Sequence, residues 1–193
     1  MSARIPLLLS FVLSGCMSIP VSTMVRFATF DDEDLLQIDP SQVRMRITSD
    51  NDAPLIVKKT KLKMEMVAED GAKATMPGAV ILESEEDLHP EKTLWGYTPE
   101  HVYVLRLDED AAASFHKLQE KVRRNEKGYL TVGVDYDFSG KEKARVTVEL
   151  KLGAQEDYFT LLDKATFSPE DLREDAQQSA AGDGSGPAGS ARP

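Results

Sequence analysis

The sequence predicts a mainly β fold: an antiparallel β-sandwich of the immunoglobulin or transthyretin kind, with one α-helix at about 109–126. Three observations carry that expectation. Several segments alternate apolar and polar residues with a period of two, the pattern of a half-buried strand. One segment repeats its apolar residues at helical spacing instead. Strands with one apolar and one wet face pair antiparallel, and two such sheets bury their apolar faces against each other. An α+β roll, with the helix on a single sheet, is the alternative.

Thr23 to Phe30 is rich in β-branched and aromatic residues and reads as the first strand, ended by the acidic run Asp31 to Asp34. Val43, Met45 and Ile47 alternate with Gln42, Arg44 and Arg46 in the second. Asp50-Asn51-Asp52-Ala53-Pro54 is turn chemistry. Ile56 to Met66 alternates again, with Leu62, Met64 and Met66 on one face and Lys59, Lys61, Lys63 and Glu65 on the other. Asp70-Gly71 makes a turn, and Ala79 to Leu82 reads as a short strand. A loop holding Pro90, Trp95, Gly96, Tyr97 and Pro99 leads into the strand His101 to Leu107.

The period then changes. Ala111, Phe115, Leu118 and Val122 fall on one helical face. Asp108, Glu109 and Asp110 stand at the N-terminal end, with Lys121, Arg123, Arg124 and Lys127 near the other, so both ends complement the helix dipole. Gly128 is the natural stop. Leu130 to Phe138 and Val146 to Leu152 alternate next, and Ser139-Gly140-Lys141 between them predicts an antiparallel hairpin. Tyr158 to Leu162 is one more strand, ending near Phe167. Ser168-Pro169-Glu170-Asp171 has the form of a capping box before a short helix, and an acidic tail follows that is expected to be disordered from about 182.

The first sixteen residues give an address. Arg4 precedes an apolar run from Ile5 to Leu13, too short to span a bilayer but suited to a signal segment. Leu13-Ser14-Gly15-Cys16 resembles the bacterial lipobox, which implies cleavage before Cys16 and acylation of its thiol. Residues 1–15 are then a lipoprotein signal peptide, 16–22 a tether, 23–167 the sandwich domain, and 168–193 the short helix and tail. The residue after the cysteine is Met17 rather than Asp. By the same resemblance this implies an outer-membrane anchor facing the periplasm, with the inner membrane or cell surface as alternatives. Met17 to Ser22 reaches only about 20 Å when extended, so the domain is expected to stay close to the bilayer.

Composition narrows the activity by exclusion. The chain carries 23 Lys and Arg against 33 Asp and Glu, a net charge of −10, which argues against a nucleic-acid partner. Its single cysteine rules out an internal disulfide and a multi-cysteine metal site. His89, His101 and His116 are scattered without metal-ligand spacing. No nucleophile elbow, P-loop or dinucleotide fingerprint is present. The Asp50-Asn51-Asp52 run lacks the glycine and bidentate glutamate of a calcium loop, since Leu55 and Lys61 occupy those places. The acidic clusters Asp31 to Asp34 and Glu83 to Asp87 read as solvated loops, with weak calcium binding as the other reading. No cofactor and no catalytic residue are expected.

Two surface features remain as contact candidates. Lys59, Lys61 and Lys63 form a basic stripe, read either as a solvent face or protected edge, or as a contact for anionic lipid. Trp95 and Tyr97 are read either as folded over the core or as a partner anchor. The order of helix, hairpin and Tyr158-Phe159-Thr160-Leu161-Leu162 resembles small proteobacterial lipoproteins without an assigned activity. The expected role is a non-enzymatic binding or structural module in an envelope complex, held to the membrane by its N-terminal lipid and contacting another envelope protein. An envelope hydrolase with an unidentified carboxylate site is the alternative. The sequence does not set the oligomeric state.

Overall fold

The computed structural model describes residues 19–50, 54–68, 73–76, 78–88, 100–123, 128–139 and 144–167. Cys16, His89, Trp95, Tyr97, the turns at Asp70-Gly71 and Gly140-Lys141, the Ser168 capping box and the tail lie outside them. Among the described residues there are eight strands: β1 (Arg44–Ser49), β2 (Lys61–Ala68), β3 (Lys73–Met76), β4 (Val80–Leu88), β5 (Glu100–Leu107), β6 (Gly128–Asp135), β7 (Ala144–Lys151) and β8 (Phe159–Phe167). They form two antiparallel sheets, one in the order β4-β5-β1-β7-β8 and one in the order β3-β2-β6. The fold is mainly β and sandwich-like, as the alternation predicts.

One core joins the sheets. Met45, Ile47, Leu105, Val146, Val148 and Leu150 of the large sheet share it with Leu62, Met64 and Met76 of the small one. In β1 the burial alternates strictly, so Met45 and Ile47 point inward while Arg44 and Arg46 stay on the outer face. Helix α3 (Glu109–Arg123) adds Ala111, Phe115, Leu118 and Val122, the residues its period picks out. Asp108 caps it by accepting the Ala111 N–H at 2.7 Å. It packs against both β3 and β5, one strand from each sheet.

The N-terminal segment is not a strand. Val21–Thr29 is helix α1, begun after Pro20, and Asp32–Gln37 is helix α2. Strand propensity is a weak prior, and here packing overrides it. Thr23 and Phe27, one helical turn apart, both turn toward β8. The helix also begins inside the stretch assigned to the tether. Asp31 to Asp34 does not form a solvated loop: it starts α2. The Asp31 carboxylate accepts the N–H groups of Glu33 and Asp34 at 2.9 and 3.0 Å, and Asp34 reaches back to the Asp31 N–H at 3.1 Å. Among the described residues the helix at 109–123 is therefore one of three α-helices, not the lone helix expected across the sandwich.

The expected hairpin is also replaced. β6 pairs with β2 in the small sheet, whereas β7 pairs with β1 and β8 in the large one. Phe138 instead bridges Leu55, and the Ile56 N–H donates to the Asp137 carbonyl at 2.8 Å. Alternation reports which face is apolar but not which strand lies alongside. Lys73–Met76, too short to show a period, supplies the eighth strand in place of the N-terminal one. Val57–Lys59 forms a 3-10 turn, so the Ile56 to Met66 strand begins only at Lys61. β4 runs on from Val80 to Leu88 and takes in the acidic run Glu83 to Asp87, which is strand rather than loop.

Candidate functional site

The large sheet has two edges, and they are built differently. β8 is a managed edge. Two bulges interrupt its pairing with β7, between Val146 and Val148 and between Val148 and Glu149. In the first, Asp163 and Lys164 stand against Thr147 alone, Lys164 has φ 47°, and its N–H donates to the Thr147 hydroxyl at 3.2 Å. Helix α1 then lies against the strand: the Thr23 hydroxyl donates to the Thr160 carbonyl, and Phe27 meets Phe159 edge-on at 5.9 Å between centroids. The Arg26 guanidinium sits 4.2 Å from the Phe159 ring centroid and pairs with Glu156. Bulges and a covering helix both protect an edge from pairing with other chains.

This packing turns α1 inside out. Its polar residues Thr23 and Arg26 make contacts to the body. Its apolar residues Val21, Met24 and Val25 face away, 74%, 41% and 58% exposed, beside exposed Ile19. Ala28 is exposed as well.

β4 is the opposite edge; the 3-10 turn Val57–Lys59 touches it, and no described α-helix covers it. Every residue from Ile81 to Leu88 is exposed, including Ile81, Leu82 and Leu88. A single bulge falls between Leu82 and Ser84. Glu83 pairs with Arg44 at 2.6 Å and Asp87 with His101 at 2.5 Å, while Glu85 and Glu86 also lie on the exposed run. The edge is thus acidic with apolar residues set into it. The sequence hides it because a strand exposed on both faces shows no alternation.

The outer face of the same sheet is basic. Arg44 stands directly opposite Arg106 on β5 and Lys151 on β7. Like charges in register repel, and Glu83, paired with Arg44, offsets part of the cost. Arg46 stacks 4.2 Å over the Tyr158 ring and pairs with Glu149 at 2.5 Å. That hydrogen bond holds the Arg46 guanidinium above its ordinary value, and burial raises the Tyr158 hydroxyl.

The lysine stripe is divided. Lys59 lies on the 3-10 turn and pairs with Asp137 at 2.5 Å; Lys63 pairs with Asp135 at 2.5 Å; Lys61 is exposed. β2 is the central strand of its sheet, so Lys61 and Lys63 protect no edge and occupy a solvent face. Trp95 and Tyr97 lie outside the described residues.

Clefts offer little acid–base machinery. One of about 350 Å³ lies between α1, α2 and the β7–β8 turn, lined by Arg26, Asp34, Gln37 and Glu156 among others. Both carboxylates there are engaged, Asp34 with the Asp31 backbone and Glu156 with Arg26. A second, of about 220 Å³, runs between β3 and α3 beside Met76, Ser114 and Lys117. Asp39 is held below the usual carboxylate range by hydrogen bonds from Ser41, as expected of a helix cap. His116 meets Gln119 at 3.0 Å and His101 faces Asp87. Among the described residues, no three His, Cys, Asp or Glu side chains are placed to hold a metal ion. No described helix is long and apolar enough to cross a membrane. No protein-family model, curated protein or solved structure matches the chain.

Proposed function

We propose that this chain is a lipid-anchored module of the cell envelope, held in the outer membrane through Cys16 and facing the periplasm, that binds another envelope protein along the edge of β4. The anchor rests on Leu13-Ser14-Gly15-Cys16 at the end of a short apolar run. The binding role rests on one observation: eight consecutive exposed residues, Ile81 to Leu88, on an edge strand that has the 3-10 turn Val57–Lys59 beside it but no described α-helix covering it. An open edge offers unpaired backbone donors and acceptors to an added strand. Ile81, Leu82 and Leu88 would give that strand apolar contacts, and Glu85 and Glu86 select a partner segment carrying Lys or Arg. The engaged carboxylates of the α1–α2 cleft support a binder over a hydrolase.

The test places a photo-crosslinking residue at Glu86 or at Thr131, on the exposed outer face of β6, in the native lipoprotein in its membrane. The expected result is one reproducible adduct from position 86 and none from 131, lost when Ile81→Lys and Leu88→Lys are added. Adducts of equal yield at both positions, or none at 86, defeat the binding role. The mass of the N-terminal peptide tests acylation of Cys16 separately.

A further inference from the structure

We infer that α1 is an interfacial helix: its outward face, Ile19, Val21, Met24, Val25 and Ala28, lies in the headgroup region of the bilayer that holds the anchor. The inference rests on the lipid-anchor reading and adds an orientation to it. A surface helix of a soluble domain normally turns its polar side to water. In α1, Thr23 and Phe27 lie against β8 and Arg26 pairs with Glu156, which leaves an exposed side of Val21, Met24, Val25 and Ala28, flanked by Ser22 and Thr29, with no charged residue on it. Val21 at 74% exposure would be costly to leave in water beside three further apolar side chains.

The occupant of that face follows from chain distance. Val21 stands five residues after Cys16, a span of at most about 18 Å when fully extended. An acylated Cys16 sits at the bilayer surface, so α1 cannot leave the interfacial zone by more than that. Its nine residues are about 13 Å long, enough for two turns lying flat at the headgroup boundary, where amphipathic helices bury about 5–10 Å. The face is uncharged, so a zwitterionic bilayer suffices and anionic lipid adds nothing.

The fold then orients the open edge. α1 sits at the β8 side of the large sheet, and β4 is its other edge, four strand spacings away. At about 4.8 Å each, those spacings hold β4 roughly 19 Å further from α1 than β8 is. The anchored helix would therefore present β4 toward the periplasm rather than against lipid.

The mature lipoprotein, purified with its acyl chains and reconstituted into phosphatidylcholine vesicles, tests this. An acylated Cys16 has no free thiol, so Ala28→Cys provides the single site for a nitroxide label, with Glu86→Cys and Lys61→Cys as references. At residue 28 the ratio of oxygen to nickel-chelate collisions should exceed that at 61 and 86 several-fold. Replacing part of the phosphatidylcholine by phosphatidylglycerol should leave it unchanged. Adding Val21→Ser, Met24→Ser and Val25→Ser, all at exposed positions, should return the residue-28 label to water values with the protein still membrane-bound and its circular dichroism unchanged. Water values at residue 28 in the unsubstituted helix overturn the inference. So does line broadening that grows with protein-to-lipid ratio without oxygen enrichment, which assigns the face to a second copy. Unmodified Cys16 in the N-terminal peptide defeats the anchor reading instead. In that event the Cys16→Ser form, labelled at 28 and mixed with vesicles, decides the helix: a shielded label keeps the inference and a wet one ends it.

Discussion

The hydroxyl of Thr23 in α1 donates to the carbonyl of Thr160 in β8, tying the helix to the strand across 137 residues of sequence. Thr23 is 2% exposed, so its hydroxyl cannot turn to water in exchange, whereas Thr160 is half-buried. Thr23→Val keeps the shape and removes the donor. The expected loss is about 1 kcal/mol, the net contribution of one hydrogen bond. Hydrogen exchange should quicken across Val21–Thr29 while β1 and β5 stay protected, because α1 is a peripheral element. Uniform acceleration over the whole domain would contradict that.

Gln119 plays a comparable part for α2. Its amide donates to the carbonyls of Leu35 and Ile38 at 2.9 and 2.8 Å, at the end of the helix, where the Leu35 carbonyl also accepts the Ile38 N–H at 3.4 Å. It is 3% exposed on the buried side of α3. Gln119→Leu should cost about 1–3 kcal/mol in urea unfolding, since the Ile38 carbonyl loses its amide donor and the Leu35 carbonyl keeps only the long bond from the Ile38 N–H. Gln119→Glu should cost more near neutral pH, where a carboxylate would face the same two oxygens. An unchanged midpoint for Gln119→Leu would place the stabilisation elsewhere.

Lys164 has φ 47°, the left-handed region that an L side chain occupies at a cost of about 1–2 kcal/mol. Glycine occupies it without that cost, though it loses more entropy on folding. Lys164→Gly should therefore raise stability by about 0.5–1 kcal/mol, and Lys164→Val should lower it, as read by thermal melting. The side chain is exposed, so packing does not confound the comparison.

High pH should destabilise the domain. Burial pushes the Tyr136 hydroxyl far above its ordinary range, and it raises those of Tyr103 and Tyr158. A raised folded-state value means that above about pH 10 the unfolded chain has released protons the native state retains. Stability is thus full below pH 10 and falls beyond it, by up to about 1.4 kcal/mol per pH unit for each tyrosine withheld from ionising. Tyr136→Phe should flatten that limb, compared with the parent from pH 9 to 11. An equally steep limb in the variant would assign the effect to other groups.

Parts of the architecture are plain in the residues. Met45 and Ile47, Leu62 and Met64, and Val146, Val148 and Leu150 are buried at the alternation the sequence displays. Ala111, Phe115, Leu118 and Val122 of α3 follow the helical period between oppositely charged ends. The candidate surfaces were less legible. The lysines at 59, 61 and 63 stand out in the sequence, yet two are neutralised by Asp137 and Asp135. The β4 edge carries no period because both of its faces are wet, and α1 looks like strand because Thr23 and Val25 are β-branched and Phe27 and Phe30 aromatic.

From the sequence alone come the period of each strongly patterned element, the acidic balance, and the place of the single cysteine at residue 16. Tertiary structure decided the partners: β6 with β2 rather than β7, the exposed edge at β4, and a helix at Val21–Thr29 where propensity favours a strand. The division has a physical cause. Periodicity is a property of one segment against an average apolar environment, and neighbouring residues suffice to display it. Strand pairing and the docking of a short helix depend on free-energy differences between competing partners distant in sequence. Those differences are set by side-chain fit and unpaired backbone groups, which exist only once the sheets have come together.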